Sequence, residues 1–271
     1  MSGTLYIVGT PIGNLKDITY RAVETLASVD MIACEDTRHT AVLLKHYGIS
    51  KQLVSYYKQK EKAASSKIAE ALEEGKNVAL VTDAGMPCVS DPGAVLVKEC
   101  RERGIRIESV PGPSAVVTAM SVSGITDGKF AFIGFLPDKN ADRRELLGET
   151  KAYGIPLIFY TAPHDLKKTL AELLNAYGDR RVTVVKELTK IHESVYEGTL
   201  SSVEIEDERG EFVLIVEPAE EAGEKADPAE ALEELLASGV SPAEAARRVA
   251  LKCNLNRNAV YALALKLKDK R

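Results

Sequence analysis

Three segments gather glycine, proline, serine and aspartate: GTPIGN at 9–14, DAGMPCVSDPG at 83–93 and PGPSA at 111–115. Each follows an apolar run that reads as a strand. Glycine lets a ligand approach the backbone, and proline holds a loop rigid. In an open parallel sheet, loops at the carboxyl ends of the strands form the ligand crevice. The chemistry on offer is therefore the holding of an organic ligand by backbone and carboxylate groups. GTPIGN alone is weak evidence, because it lacks the GK[ST] of a P-loop and does not match GxGxxG. DAGMPCVSDPG is stronger. Its eleven residues contain two Asp, two Gly, two Pro and a Ser, and a plain strand-to-helix connection is shorter. Asp83 has a plainer reading as a cap.

The elements that must position these loops follow from the apolar pattern. Residues 4–8, 30–34, 77–82 and 106–110 read as strands, and 17–28, 37–46, 61–74 and 93–103 as helices. Alternating strands and helices imply a mostly parallel sheet covered on both faces, and the strands are apolar with little alternation, as that requires. A boundary is expected at Gly124 to Gly128. Beyond it, strands at 130–135, 156–160, 181–186, 194–199 and 211–216 surround a helix at 165–177. That helix places Leu166, Leu170, Leu173, Leu174 and Tyr177 on one face. Several of these strands are consecutive, so a mixed sheet is expected. The expected fold class is α/β, with domains at 1–124 and 125–217, an acidic linker at 218–227 and a helical segment at 228–271. Helices at 228–237, 242–252 and 256–268 make up the last. Ser241-Pro242 is a cap followed by proline at the first helical position. The final helix offers Val260, Leu263, Ala264 and Leu267 as its core face. This segment reads either as a helix-turn-helix or as a small packing bundle.

The motif set goes further than any single loop. GTPIGN, CEDTR (34–38), DAGMPCVSDPG, VPGPSA (110–115), FIGFLP (132–137), Pro163-His164 and KELTK (186–190) occur in one order over nearly the whole chain. In this the chain resembles the tetrapyrrole-methylase superfamily. Within it, the match is to bacterial enzymes that methylate the ribose 2′-hydroxyl of a cytidine in small-subunit (16S) ribosomal RNA. The resemblance implies a fold of two α/β domains with S-adenosylmethionine bound in the cleft between them, and a homodimer. It implies that Pro11 lines the crevice and that Asp83, Gly85 and Met86 contact the methionine and ribose portions of the cofactor. Ser90 and Asp91 shape the same loop, Ser114 and Ala115 lie close, and Tyr160 and Leu188 enclose the adenine.

Methyl transfer to a hydroxyl is an in-line displacement that a nearby base assists. The candidate groups are Glu35, Asp36, Arg38, Lys186 and Glu187, and the sequence does not choose among them. Asp36 and Arg38 also read as an ion pair capping the 37–46 helix, and Glu187 as a strand-end salt bridge. His164 reads as a cap. Tyr56 and Tyr57, interleaved with Lys58, Lys60 and Lys62, suit stacking on unpaired bases or ordinary strand-end packing. Three motifs depart from the family pattern: Met86 replaces Thr in DAGTP, TAPHD (161–165) replaces ESPHR, and Tyr57 to Glu61 replaces a His and Asn-Glu pattern. The second change removes an acid and a base together, as expected of a lost ion pair.

Composition bounds the alternatives. Four cysteines (Cys34, Cys88, Cys100, Cys253) form no CxxC, and four histidines (His39, His46, His164, His192) no HExxH, so a metal site and a disulfide framework are not expected. No apolar run suits a membrane helix and no signal peptide is read, so a cytoplasmic location is expected. The net charge of −5 opposes indiscriminate nucleic-acid binding, but charge is unevenly spread. Arg38 to Lys67 holds seven Lys or Arg against one acid, Glu61, and Pro242 to Arg271 holds eight against two. Between them, Glu217 to Glu234 holds eight acids and one Lys. The RNA or the small ribosomal subunit is the expected partner. A porphyrinoid or protein acceptor on the same fold, and a non-catalytic RNA-binding module, are the rival readings.

Overall fold

The computed structural model describes residues 2–126, 128–219, 228–252 and 255–268. Most of the expected acidic linker, Cys253, Asn254 and the last three residues lie outside the described residues. The chain divides into two compact units, Met1–Pro218 and Ala219–Arg271.

The first unit contains two sheets. The first is built from β1 (Thr4–Val8), β2 (Met31–Cys34), β3 (Gln52–Ser55), β4 (Val78–Val81) and β5 (Arg106–Val110), in the order β3-β2-β4-β1-β5. All its pairings are parallel. Helices α1 (Tyr20–Ser28), α2 (Thr37–His46), α3 (Glu61–Glu73) and α4 (Ala94–Glu102) connect the strands. Alternate residues of each strand feed opposite faces. Val8, Ile32, Ala79 and Val81 pack with Ala22, Leu26 and Leu44 of α1 and α2. Leu5, Ile7, Val78 and Leu80 pack with Ile68, Leu72, Leu96 and Cys100 of α3 and α4. With both faces buried, the strands carry no polar side, which is why they read as continuous apolar runs.

Helix α5 (Ala115–Val122) leads to the second sheet, of order β6-β7-β10-β8-β9. Its strands are β6 (Ala131–Phe135), β7 (Leu157–Thr161), β8 (Arg181–Lys186), β9 (Ser194–Thr199) and β10 (Phe212–Val216), with α6 (Asn140–Thr150) and α7 (Leu166–Tyr177) between them. Only β6–β7 is parallel, so the sheet is mixed, as the consecutive strands imply. One face packs on α7 through Leu166, Leu173 and Tyr177. The other packs on α5 through Val116, Ala119 and Met120 against Ile158, Val185, Val213 and Ile215. The expected α7 face is present, with Leu170 and Leu174 partly buried at its margin.

The pattern missed β3, α5 and α6. β3 is a four-residue edge strand with no fully buried residue. α5 (AVVTAMSV) is apolar almost all round and β-branched, so no 3.6-residue stripe marks it. α6 carries its two leucines side by side among charges.

The second unit contains α8 (Pro228–Ala237), α9 (Pro242–Lys252) and α10 (Arg257–Lys268). Leu232, Ala245, Ala246, Val249, Val260 and Ala264 form its core, with Leu263 and Leu267 at the margin. The Ser241 hydroxyl accepts from the Glu244 amide (3.4 Å), as an N-cap should. No described helix is long and apolar enough to cross a membrane.

Candidate active site

β1 and β4 are neighbours, yet β1 leads to α1 on one face and β4 to α4 on the other. Such a point leaves a crevice beyond the carboxyl ends of the strands. GTPIGN and DAGMPCVSDPG lie there and are tied together. Thr10 and Gly85 exchange backbone hydrogen bonds (2.9 and 3.1 Å), and the buried Thr10 hydroxyl donates to the Thr82 carbonyl (3.0 Å). The third loop closes against them so tightly that a Cβ on Gly9 would fall 2.7 Å from both the Gly112 Cα and the Met86 Sδ. Two glycines are thus required by backbone proximity.

Above this frame lies a cleft of about 370 Å³ walled by both sheets, a size suited to a small organic ligand. Asp83, Gly85, Met86, Ser90, Asp91, Ser114, Ala115, Tyr160 and Leu188 all line it. Pro11 does not; it is buried beside Ile12, which takes the lining position. The cleft also uses Phe135, Val185, Glu211 and Val213, which the sequence reading did not single out. The two lobes touch at Ser90, whose Oγ a Cβ on Gly134 would approach to 2.8 Å. They touch again at Gly13, where a Cβ would lie 2.6 Å from the Lys190 Cγ.

The walls differ in chemistry. On the second-sheet side, Tyr160 is flanked edge-on by Phe132 (4.9 Å) and Phe135 (5.5 Å), with Leu188 and Val213 nearby. Burial pushes the Tyr160 phenol up to about 12, against a Val116 backbone hydrogen bond that favours its ionised form. This wall suits a flat, weakly polar group. On the first-sheet side, Thr82 sits among three carboxylates. Its hydroxyl donates to Glu35 Oε2 (3.2 Å), and it also favours the ionised form of Asp91. Asp83 Oδ1 accepts from the Asp36 amide (3.2 Å). Burial, then the Asp83 charge, raises the Glu35 carboxyl, while Thr82 opposes. Burial, with Glu35 and Asp83 adding to it, pushes Asp91 up to about 6. Two of these carboxylates, Asp83 and Asp91, line the cleft, and clustered carboxylates suit a cation, which relieves their mutual repulsion.

A pH dependence follows. Asp91 binds its proton more tightly in the folded protein than unfolded. Its proton-linked stability is therefore full below about 4 and fades as pH rises toward 6. A cationic ligand prefers the ionised form, so its affinity should run the other way. Titration calorimetry is expected to show the cleft ligand binding several-fold more weakly at pH 5 than at pH 7.5. Asp91→Asn should bind weakly and nearly pH-independently; an unaltered pH profile in that variant would remove Asp91 from the effect.

None of the five catalytic candidates, Glu35 included, lines the cleft itself. Asp36 caps α2 through the Arg38 amide (2.8 Å) and grips the exposed Arg38 guanidinium (2.7 and 3.2 Å). That pair holds the Asp36 carboxyl well below its ordinary range. Asp36 reaches the site through its backbone amide. Lys186 follows Val185 on β8, so it points to the α7 face, away from the cleft. It is buried there and paired with Asp207 (3.0 Å). Glu187 accepts from Lys190 Nζ (2.8 Å) and from the Glu211 amide (2.9 Å). Burial would raise its carboxyl, but Lys190 and that amide hold it below the usual range.

Glu187 and Thr189 both adopt positive φ (52° and 66°), and in the other loop Cys88 and Ser90 do too (71° and 66°). Non-glycine residues rarely do so, and such strain gathers at functional sites. Glu187 thus holds the strained turn that presents Leu188 and fixes Glu211. Glu187→Gln is expected to raise KM for the cleft ligand several-fold while kcat changes less than twofold. Steady-state kinetics with a large kcat loss and unchanged KM would return Glu187 to the chemistry.

Other residues of interest lie outside the cleft. Tyr56 is buried (1% exposed) and hydrogen-bonds to Ser65 (3.0 Å), so it is not a stacking platform. Lys60 lies 5.5 Å over the Tyr57 ring. Glu61 accepts from the Gly93 amide (2.7 Å), anchoring the start of α4. His164 is exposed and pairs with Asp165 (3.3 Å).

Residues 4–204 match the family model described as Tetrapyrrole (Corrin/Porphyrin) Methylases. The chain belongs to the tetrapyrrole methylase family. Among its relatives is a protein of Halalkalibacterium halodurans named ribosomal RNA small subunit methyltransferase I, 43% identical over 270 residues, 96% of this chain and 93% of that one. A protein of Thermotoga maritima with the same name is 48% identical over 199 residues, 73% of this chain and 89% of that one. A solved uroporphyrin-III-C-methyltransferase from Thermus thermophilus shares the fold, with a TM-score of 0.57 at 21% identity over 79% of this chain and 94% of that one. A methylase of this family uses a methyl donor.

Proposed function

We propose that the protein transfers a methyl group from S-adenosylmethionine to the ribose 2′-hydroxyl of a cytidine in small-subunit (16S) ribosomal RNA. The observation that carries this reading is near-full-length identity above 40% to proteins named as small-subunit ribosomal RNA methyltransferases. The cleft supports the donor. Carboxylates at one end fit a sulfonium and an ammonium, and an aromatic and aliphatic wall at the other fits an adenine. When bound, S-adenosylmethionine supplies a methyl group on a positively charged sulfur. Asp83 and Asp91 offset that charge. Tyr160, Leu188 and Ile12 enclose the adenine end and keep water out. Holding the two reactants in line is worth up to ~7–11 kcal/mol.

Glu35 is the group assigned to the hydroxyl proton. It stands beside Asp83 at the carboxyl end of β2, and burial makes it a stronger base than an exposed carboxylate. The reading includes a homodimer, a cytoplasmic location, no metal requirement, and the division into lobes 1–124 and 125–217 with a helical segment at 228–271. Nucleoside analysis of ribosomal RNA from cells lacking the gene tests it: one 2′-O-methylcytidine should disappear from the small-subunit RNA. An unchanged nucleoside profile would transfer the proposal to a porphyrinoid or protein acceptor.

A further inference from the structure

We infer that the carboxyl edge of the first sheet, outward from the cleft to the β3 connection, is a track for the RNA backbone, with Lys58, Lys60 and Lys62 as its phosphate contacts. The inference rests on the reading of the protein as an RNA methyltransferase.

The strand order places three connections side by side on this edge. Moving outward from β4 through β2 to β3, they carry first Asp83, then Asp36 and Arg38, then the lysines at 58–62. All three strands are parallel, so their carboxyl ends share one edge. The end of β3 lies two strand spacings from the end of β4, about 10 Å. An RNA chain with its ribose at the cleft therefore has its neighbouring phosphates over β2 and β3.

Three exposed lysines fall within five residues there. The chain carries a net charge of −5, and many exposed cations are matched locally, as in Lys76–Glu74, Lys98–Glu102 and Arg106–Glu108. Arg38 is likewise matched, by Asp36. Lys58, Lys60 and Lys62 are exposed, and among the described residues none of them has an ion-pair partner. The one acid of the 38–67 run is removed from their neighbourhood. Glu61 turns inward, where its carboxylate accepts from the Gly93 amide (2.7 Å) and the Tyr56 hydroxyl (3.3 Å). A single helical turn at Lys58–Lys60 holds two of the lysines, with Lys60 supported on the Tyr57 ring. The other lysines of the same run are elsewhere: Lys45 and Lys51 flank the amino end of β3, and Lys67 lies mid-way along α3.

The test compares two triple variants of equal net charge, Lys58→Gln/Lys60→Gln/Lys62→Gln and Lys45→Gln/Lys51→Gln/Lys67→Gln. Affinity for unmethylated small ribosomal subunits is measured across a salt series, and S-adenosylmethionine affinity by calorimetry. The first variant is expected to bind subunits at least tenfold more weakly. Its log–log salt slope should be smaller by about 2, since each phosphate contact contributes ~0.7–0.9, with cofactor affinity unchanged. The second should match the wild type. If the first variant keeps the wild-type slope and affinity, or the second loses as much, the track is overturned while the RNA reading stands. A wild-type protein that neither binds nor methylates the subunit overturns both.

Discussion

Asp83→Ala is expected to weaken S-adenosylmethionine binding roughly 10- to 100-fold and to leave the fold intact. Asp83 lines the cleft, and among the described residues its carboxylate accepts a hydrogen bond at one oxygen, from the Asp36 amide. The other oxygen is available to a cation. A hydrogen bond to a charged group contributes ~1.5–3 kcal/mol, which sets that range. The loop does not depend on the carboxylate for its shape, because the Thr10–Gly85 bridge and the Thr10 hydroxyl hold it through backbone atoms. Calorimetry on the variant, with circular dichroism as the control, reads the effect. Wild-type affinity in a folded Asp83→Ala protein would take this carboxylate out of the binding site.

Glu35→Gln is expected to lower kcat about a hundredfold with KM for the methyl donor nearly unchanged. Glutamine keeps an oxygen to accept from Thr82 and loses the basicity. General-base assistance is worth ~10²–10⁴-fold, and the lower end suits an acceptor already held in line. The rate should also rise with pH through the titration of Glu35 in the wild type and be flat in the variant. Single-turnover kinetics across pH separates this from a loss of binding. A Glu35→Gln enzyme with wild-type kcat would return the assignment to Asp36 or to solvent.

The binding loops were legible because glycine, proline and aspartate punctuate the chain where backbone must approach a ligand. The order of β1, β2 and β4 with their helices was legible because each strand is apolar and each helix amphipathic. The apolar half of the cleft was not. Ile12, Val185 and Val213 look like core residues in sequence, and they are core: they pack with α5 and line the cleft as well. The directions of the catalytic candidates were not legible for a related reason. Lys186 and Val185 are adjacent, and one faces α7 while the other faces the cleft. Because both faces of the sheet are covered, no polar alternation marked which was which. Glu187 carried a signal that sequence cannot show, a left-handed backbone in a residue type that avoids it. Its carboxylate is committed to Lys190 and the Glu211 amide, which makes it a support of the wall.

The central claim is the identity of the acceptor atom. Unmethylated small ribosomal subunits are incubated with the purified protein and S-adenosylmethionine labelled in its methyl group, with a chelator present. The RNA is then digested to nucleosides for mass spectrometry. The account predicts label in 2′-O-methylcytidine alone, at one site, undiminished by the chelator. Label on a base, or none on RNA with transfer to a porphyrinoid, would contradict it.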